Sequence, residues 1–408
     1  MPFMLAFLKD PKAVALLLAA SLTILSNMVI SPALPGLEAS FDGTENAALL
    51  TRLLVTAPSI LVAIVAPLAG ITADRFGRRR QLLFGVALFA VAGCAGAVLP
   101  TLPLILASRL VLGIAVAIVM TSQAALIGDY FSGAARGRFM GLQIAAVNFG
   151  GFAFIGLAGW LAGISPRLPF LIYGMGALIL PFLLWAVVEP NRTTPEQAEG
   201  HEPEDLGGDA NWPLTLGMVL VLSGLSFVLF YMIPTQMPFY LGTLGYDDPS
   251  AQAQVLAMVT LAGGFSALVF GAVRARLGRG MTPALGYLLM AGGFGVLDQA
   301  HALPFISLAA LMLGGGFGLT MPTFFAIALD VAPAHRRGFA SGAITTSIFL
   351  GQFLSPIFST PMIGWLGYEL TFAVAAGILL AMAAIVFGAF HRRPRPEART
   401  YRMEPRRA

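Results

Sequence analysis

Charge and cysteine are both scarce in this chain of 408 residues. Only 11% of the residues are charged, whereas a typical soluble protein has about 25%. The single cysteine, Cys94, excludes an intramolecular disulfide and a thiolate metal cluster. Hydrophobic residues, in contrast, make up 57% of the chain, so the composition indicates a membrane protein.

Enzymatic signatures are missing as well. The sequence contains no GxxxxGK[ST] phosphate-binding loop, no HExxH zinc motif and no cluster of cysteine and histidine. We therefore expect neither an enzyme nor an ATP-driven pump, and we expect no cofactor and no metal.

Long apolar runs fill most of the chain. About twenty helical residues cross the roughly 30 Å of hydrocarbon in a bilayer, and about twelve such runs are separated by short breaks. The predicted spans are 12–35, 48–73, 80–99, 103–128, 138–163, 168–188, 213–241, 250–274, 282–299, 303–328, 338–365 and 368–390. These runs predict an all-α membrane protein with twelve transmembrane helices.

The two halves of the chain share residues at a constant offset of about 201 positions. The matched positions include Gly70 and Gly271, Arg75 and Arg276, Gly77 and Gly278, Arg78 and Arg279, Gly113 and Gly314, Asp129 and Asp330, Arg136 and Arg337, Gly137 and Gly338, and Gly141 and Gly342. Two similar six-helix bundles that rock about a shared interface are the usual basis of alternating-access transport. We predict bundles over 1–188 and 212–390, an acidic cytoplasmic linker over 189–211 and a basic tail over 391–408.

Positive charge is distributed unevenly between the two sides of these predicted spans. With the amino terminus in the cytoplasm, all of the 24 Lys and Arg residues except Arg52, Arg109 and Arg167 fall in cytoplasmic segments. Such an excess marks the side that is not translocated. We therefore expect a multi-pass protein of the bacterial inner membrane with both termini in the cytoplasm, and no nucleic-acid partner.

The connection between spans 2 and 3 carries the most specific motif, GITADRFGRRR, which starts at Gly70. It resembles the signature GxxxDRxGRR of the major facilitator superfamily. Gly77 suits a tight turn, Gly70 permits two helix backbones to approach, and Asp74 can pair with Arg78 one turn later. The resemblance implies a cytoplasmic latch formed by Gly70, Asp74, Arg75, Gly77, Arg78 and an acid that ends helix 4, here Asp129.

A second copy of the motif lies between spans 8 and 9. Its matching residues are Gly271, Arg276, Gly278 and Arg279. Ala275 stands where the first copy has Asp74, so we expect one strong latch and one weak latch.

Other segments resemble the drug-exporting branch of the superfamily. Helix 1 ends in SPALP from Ser31, and Arg109 precedes Gly113 in an RxxxG pattern. The glycine-rich run from Gly150 to Trp160 is similar to the antiporter segment of exporters, although it lacks that segment's Gly-Pro pair. Such glycines are also ordinary helix-packing residues.

Carboxylates are absent from the middle of every predicted span. Ser26 and Asn27 stand in helix 1, where cation exporters of this family commonly carry an acid, so transport of organic cations is disfavoured. Arg109 is the one charge placed at depth. It either attracts an anionic group or tunes proton movement, or it is a scaffold residue bonded to backbone carbonyls.

Uncharged polar residues supply the remaining candidates for substrate binding or coupling. In this family helices 1, 4, 7 and 10 line the pathway, and Gln236 lies between two helix-breaking prolines of helix 7. The candidates are Asn27, Gln123, Tyr231, Gln236, Thr320, Thr323 and Gln352, supported by Gln143 and Asn148. Each of them could instead make an interhelical hydrogen bond.

Together these features predict a secondary active transporter that moves a small amphipathic or weakly acidic organic molecule by alternating access. We expect proton-coupled efflux, as in multidrug or metabolite export, by a monomer whose other partners are protons and membrane lipid. Two alternatives stay open at this point. One is uptake or exchange of an organic anion steered by Arg109, and the other is a non-transporting sensor with the same fold.

Overall fold

A computed structural model describes residues 7, 9–190, 211–299, 301–333 and 336–390, with the backbone alone for Asn27, Asp74 and Ala134. Most of the predicted linker (191–210) and the whole predicted tail (391–408) lie outside these described residues. The helices are α1 Pro11–Ser40, α2 Ala47–Phe76, α3 Arg78–Ala95, α4 Leu102–Tyr130, α5 Gly133–Ile164, α6 Leu168–Ala186, α7 Trp212–Thr243, α8 249–277, α9 279–299, α10 Leu303–Val331, α11 337–366 and α12 368–390.

Nine helical stretches of the described chain are long and apolar enough to cross a membrane. Two of them, Pro249–Gln299 and Arg337–Phe390, are each broken by a glycine with positive φ, Gly278 and Gly367. These two breaks divide the nine stretches into eleven helices. Helix α3 is the twelfth; it is only 18 residues long and begins with three arginines. The prediction of an all-α membrane protein with twelve transmembrane helices is confirmed.

Proline interrupts two of the transmembrane helices. In α1 a 3₁₀ turn over Ser31–Ala33 separates two α-helical segments. In α7 the α-helix ends at Phe230 and resumes at Met232, just before Pro234. Proline has no N–H to continue the backbone ladder, so the break falls on its amino-terminal side.

The internal repeat has a three-dimensional counterpart in helix packing. A Cβ built on Gly113 of α4 would lie 2.2 Å from the backbone oxygen of Pro58 in α2. At the corresponding positions of the second half, a Cβ on Gly314 of α10 would lie 2.0 Å from the oxygen of Val259 in α8. Both members of each pair are offset by the same 201 residues, so the two halves pack their helices in the same way.

Two apolar cores accompany this symmetry. The first contains buried residues from Ala13 to Val187 together with Phe349, and the second contains residues from Leu216 to Phe390 together with Met28 and Ile155. Each half therefore has its own interior, as the fold of two six-helix bundles requires. The exact limits of the bundles stay predictions.

Tryptophan marks the two ends of the helices. Trp160 and Trp365 stand near the ends of α5 and α11 on one face, while Trp185 and Trp212 stand at the ends of α6 and α7 on the other. Tryptophan is enriched where a membrane protein crosses the interface between lipid and water. We call the face with the start of α1 the inner face, following the prediction from positive charge, and the opposite face the outer face.

The bundles contact each other mainly through α5 with α8 and α2 with α11. A Cβ on Gly159, near the outer end of α5, would lie 2.2 Å from Cβ of Ala253 in α8. Toward the inner face such contacts give way to open space: no described atom lies within 4 Å of a Cβ built on several glycines of these four helices. They are Gly70, Gly137, Gly141, Gly271, Gly338 and Gly342.

Candidate functional site

A cavity of about 510 Å³ occupies the inner half of the molecule between α1, α4, α5 and α10. Its lining is mainly apolar and includes Met120 of α4, Met140 of α5 and Phe325 of α10. Methionine is unbranched and polarisable, so this wall can adapt to ligands of different shape. Cavities of roughly 300–1,000 Å³ accommodate drug-sized molecules.

The longer polar side chains of the cavity come from α4 and α5, and α1 adds the hydroxyl of Thr23. The Gln123 side-chain amide donates to the Leu16 carbonyl at 2.6 Å, and the Asn148 amide donates to the Ile144 carbonyl at 2.9 Å. Gln143 and Arg136 complete the set of longer polar side chains. No carboxylate is found among the lining residues that the structure describes.

Arg136 is the charged residue of this cavity. It lies at the inner end of α5 and is exposed, and its guanidinium makes no ion pair or side-chain hydrogen bond with the described residues. All five N–H donors of a guanidinium then remain available for a ligand. From the sequence alone Arg136 is one more basic residue on the cytoplasmic side, although it recurs as Arg337 in the repeat.

Seven of the eight predicted substrate or coupling residues have described side chains, and Gln123 is the one of these seven that lines this cavity. Thr320 and Thr323 of α10 are buried, and their hydroxyls donate to carbonyls one turn earlier in the same helix. Tyr231 is buried in α7 and stacks on Phe227. Asn27 lies in α1, but its side chain is outside the described part of the chain.

Arg109 is fully buried and is not one of the residues that line the cavity. Its Nη2 donates to the carbonyls of Ala92 at 3.1 Å and Gly93 at 2.6 Å, both in α3. The guanidinium carbon also lies 4.9 Å from the ring centre of Phe170 and 4.7 Å from that of Tyr173 in α6. These contacts join α3, α4 and α6 and correspond to the scaffold interpretation of Arg109.

Gln236, the favoured uncharged candidate, lies in a polar network on the outer side. Its side-chain oxygen accepts from Nε of Arg52 at 2.9 Å, and its amide donates to the hydroxyls of Ser359 at 2.9 Å and Thr360 at 3.0 Å. Arg52 also pairs with Glu38 at 2.7 Å. The network joins α1 and α2 of one bundle to α7 and α11 of the other.

The predicted latch has its turn and one of its ion pairs in place. Gly77 ends α2 with φ of 97°, which only glycine adopts readily, and Arg78 pairs with Asp129 of α4. Arg75 is exposed beside the ring of Phe76, and the side chain of Asp74 lies outside the description. The close helix approach expected at Gly70 is not seen, because the inner ends of the helices leave open space there.

Glu189, the first residue of the predicted linker, joins this cluster. Its two carboxylate oxygens accept from the backbone N–H groups of Arg78 at 2.8 Å and Arg79 at 3.0 Å. The carboxylate thus caps the amino terminus of α3, which Gly77 cannot cap with a side chain.

The second latch differs in its charges. Gly278 repeats the positive φ of Gly77, with 78°. Asp330 pairs at 3.4 Å with Arg274 rather than with Arg279, the repeat partner of Arg78. Nε and Nη2 of Arg279 are buried without a hydrogen-bond partner in the described structure, and Gly271 and Arg276 are exposed.

The sequence matches a known protein family and known relatives. The family model for the Major Facilitator Superfamily matches residues 16–356 and 300–407. The chain is 25% identical over 337 residues to the quinolone resistance protein NorA of Staphylococcus aureus strain N315, covering 82% of this chain and 86% of the relative. It is 32% identical over 147 residues to multidrug resistance protein 1 of Bacillus subtilis strain 168, covering 36% and 38%.

Solved structures share the architecture. A D-xylose-proton symporter superimposes with a TM-score of 0.77 at 19% identity, covering 92% of this chain and 97% of the other. The human organic anion transporter MFSD10 (TETRAN) superimposes with a TM-score of 0.69 at 18% identity, covering 92% and 99%. The repeated bundles, the motif after α2 and the family match lead to one conclusion: the chain belongs to the major facilitator superfamily of membrane transporters.

Proposed function

We propose that this transporter exports small amphipathic or weakly acidic organic molecules in exchange for protons. The observation that carries the proposal is the composition of the inner cavity. Met120, Met140 and Phe325 provide an adaptable apolar wall, and Arg136 is its charged group. A molecule with an apolar ring system and one carboxylate matches both features.

The relatives support export of this kind of cargo. NorA is named for quinolone resistance, and quinolones are planar aromatic carboxylic acids. The Bacillus relative is named for multidrug resistance. A cavity wall of methionine and phenylalanine can adapt its shape and so bind more than one kind of cargo.

Permanent cations fit this cavity less well. Three of the described carboxylates near the ends of the helices are held by arginine: Glu38 by Arg52, Asp129 by Arg78 and Asp330 by Arg274. A cation in the cavity would face Arg136 without a carboxylate among the described lining residues. The proton that is exchanged would then be carried by a carboxylate at one of the rims rather than by one inside the cavity.

Steering of an anion by Arg109 has less support. Its guanidinium is enclosed by backbone carbonyls and two aromatic rings, and it does not line the cavity. Uptake of an organic anion therefore remains an outcome of the test and not a second proposal.

The test uses purified protein in liposomes with the quinolone nalidixic acid, which has one carboxylate, as the probe. An exchanger should accumulate it in an acidic lumen, because protons that leave the lumen drive cargo inward. Passive diffusion works in the opposite direction, since a weak acid collects on the alkaline side. Protein-free liposomes and the permanent cation ethidium are the controls.

Two results would overturn the proposal. Faster protein-dependent accumulation in an alkaline lumen would show that the acid moves together with protons. Accumulation of ethidium in preference to nalidixic acid would show an exporter of cations.

A further inference from the structure

The interface between α2 and α11 is polar although it is buried. Helix α11 inserts Phe349 into the core of the first bundle and packs, antiparallel, along α2. Buried polar residues occupy one face of each helix, and we call this set the α2–α11 seam: Arg52, Thr56 and Ser59 on α2, and Gln352, Ser355 and Ser359 on α11. On each helix they recur at intervals of three and four residues and therefore share one face. Thr51 of α2 is also buried but lies outside this set, and the Ser355 hydroxyl donates to the Val228 carbonyl of α7.

Several groups of this seam lack hydrogen-bond partners. Thr56 Oγ1, Ser59 Oγ and Gln352 Nε2 are buried without one in the described structure. An interface that served only to hold two helices together would be more stable if these groups were apolar, because unpaired buried donors and acceptors are costly. Unpaired buried groups also occur within one bundle, as at Nε and Nη1 of Arg109. Those of the seam differ in lying between the two bundles, where rocking of the bundles would expose them to water or ligand.

The outer end of the seam is covered by Arg52. Its guanidinium donates to Gln236 at 2.9 Å and lies 3.7 Å from the ring centre of Phe239, both in α7. Glu38 holds the other side of Arg52 but belongs to the same bundle. Gln236 is held in turn by Ser359 of its own bundle. Arg52 also interacts with Tyr368 of α12, in the second bundle. Separation of the bundles on the outer side would therefore break the contacts of Arg52 with Gln236, Phe239 and Tyr368, whereas its contacts with Glu38 and the Ala48 carbonyl lie within one bundle.

We propose that the contact of Arg52 with Gln236 is the outer gate of this transporter, and that the α2–α11 seam becomes the wall of an outward-facing cargo site. The seam would take hydrogen-bonding groups of the cargo, and Arg52, released from Gln236, would take an anionic group such as a carboxylate. The gate depends on the two-bundle fold alone, whereas the cargo chemistry also rests on the proposed function.

Thiol labelling tests the gate without requiring transport. Cys94 is the one native cysteine, so Cys94→Ser gives a background for the single reporter Ser59→Cys. A membrane-impermeant thiol reagent, applied from the outer side of intact cells, should label this reporter slowly. Gln236→Leu and Arg52→Gln should each raise the labelling rate by about tenfold or more, because each removes a hydrogen bond to a charged group.

A matched control is available at the same face. Arg167 is another arginine near the outer face, but it donates to the Leu99 carbonyl within its own bundle. Arg167→Gln should leave the labelling rate of Ser59→Cys unchanged. If Ser59→Cys fails to fold, as judged by its elution from a sizing column, Thr56→Cys replaces it as the reporter.

Labelling from the inner side separates a gate from a local leak. Val147 lines the inner cavity. The labelling of Val147→Cys in inverted vesicles should slow when Gln236→Leu opens the outer side. Faster labelling of Ser59→Cys without this reciprocal slowing would overturn the gate, as would unchanged labelling in both gate variants.

Cargo protection tests the site itself. Nalidixic acid should slow the labelling of Ser59→Cys in the Gln236→Leu background. Absence of protection there, while the same compound is transported by the unmodified protein, would overturn the cargo site and leave the proposed function intact. Absence of transport with a working gate would reject the proposed cargo instead.

Discussion

The α-carbon of Gly113 lies against the backbone carbonyl of Pro58, so closely that a Cβ would come within 2.2 Å of the carbonyl oxygen. A carbonyl on a helix backbone cannot turn aside as the end of a side chain can. The separation of α4 from α2 is therefore set by the absence of a side chain at residue 113, and Gly314 sets that of α10 from α8.

Gly113→Ala should destabilise the protein by about 1–3 kcal/mol, the usual cost of overpacking a tight interior, and Gly314→Ala should do the same. The measurement is thermal unfolding in detergent. Gly156→Ala is the matched control, since a Cβ there meets no atom within 4 Å. Equal melting temperatures for Gly113→Ala and Gly156→Ala would contradict this account of the helix spacing.

Glu189→Ala should lower stability by about 0.5–2 kcal/mol, the range for loss of a helix cap. Its carboxylate accepts hydrogen bonds from two N–H groups at the start of α3. A negative charge there also interacts favourably with the positive end of the helix dipole. Chemical or thermal unfolding of the purified protein measures the change. Glu369→Ala removes an exposed carboxylate of α12 and should have less effect; an equal loss in the two variants would contradict the capping role.

Arg109→Ala should destabilise the protein without changing its affinity for acidic cargo. The substitution removes two hydrogen bonds and the contacts with two rings, and it leaves space in the interior, for which we expect a loss of at least about 2 kcal/mol. Melting temperature and the Kd for nalidixic acid are measured on the same preparation. A weaker Kd with an unchanged melting temperature would favour a role in anion binding.

Arg136→Gln should weaken binding of acidic cargo by about two- to fivefold, as expected for loss of one exposed charge contact. Binding of a neutral amide analogue of the same compound should not change. Arg138→Gln serves as control, because residue 138 lies on the same helix but is not part of the cavity lining. The role of Arg136 would be refuted if both compounds, or both variants, were affected alike.

Much of the fold could be predicted from the sequence because its signals are local or repeated. Twelve apolar runs need only composition, and the turn at Gly77 needs only the steric freedom of glycine. The offset of 201 residues also predicted the second turn, at Gly278. These features depend on neighbours along the chain or on a copy of themselves.

The site was less predictable because its contacts join distant segments. Arg52 and Gln236 are 184 residues apart, and nothing near either residue specifies the other as its partner. In the sequence Arg136 resembles any basic residue at a cytoplasmic helix end, because only the fold places a cavity beside it. Whether Arg109 faces a ligand or backbone carbonyls depends on how α3 and α6 surround it, which one sequence does not encode locally.

The empty space beside Gly70, Gly137, Gly141 and their three repeat partners has a consequence for how this transporter tolerates change. A methyl group at any of these positions would touch nothing in the state described, so unfolding measurements on that state would not detect it. In the proposed alternating-access cycle the inner helix ends come together, and the same methyl group would then hold them apart. Folding and turnover would thus impose different demands on these six positions, and a variant could be fully stable and yet unable to complete a cycle.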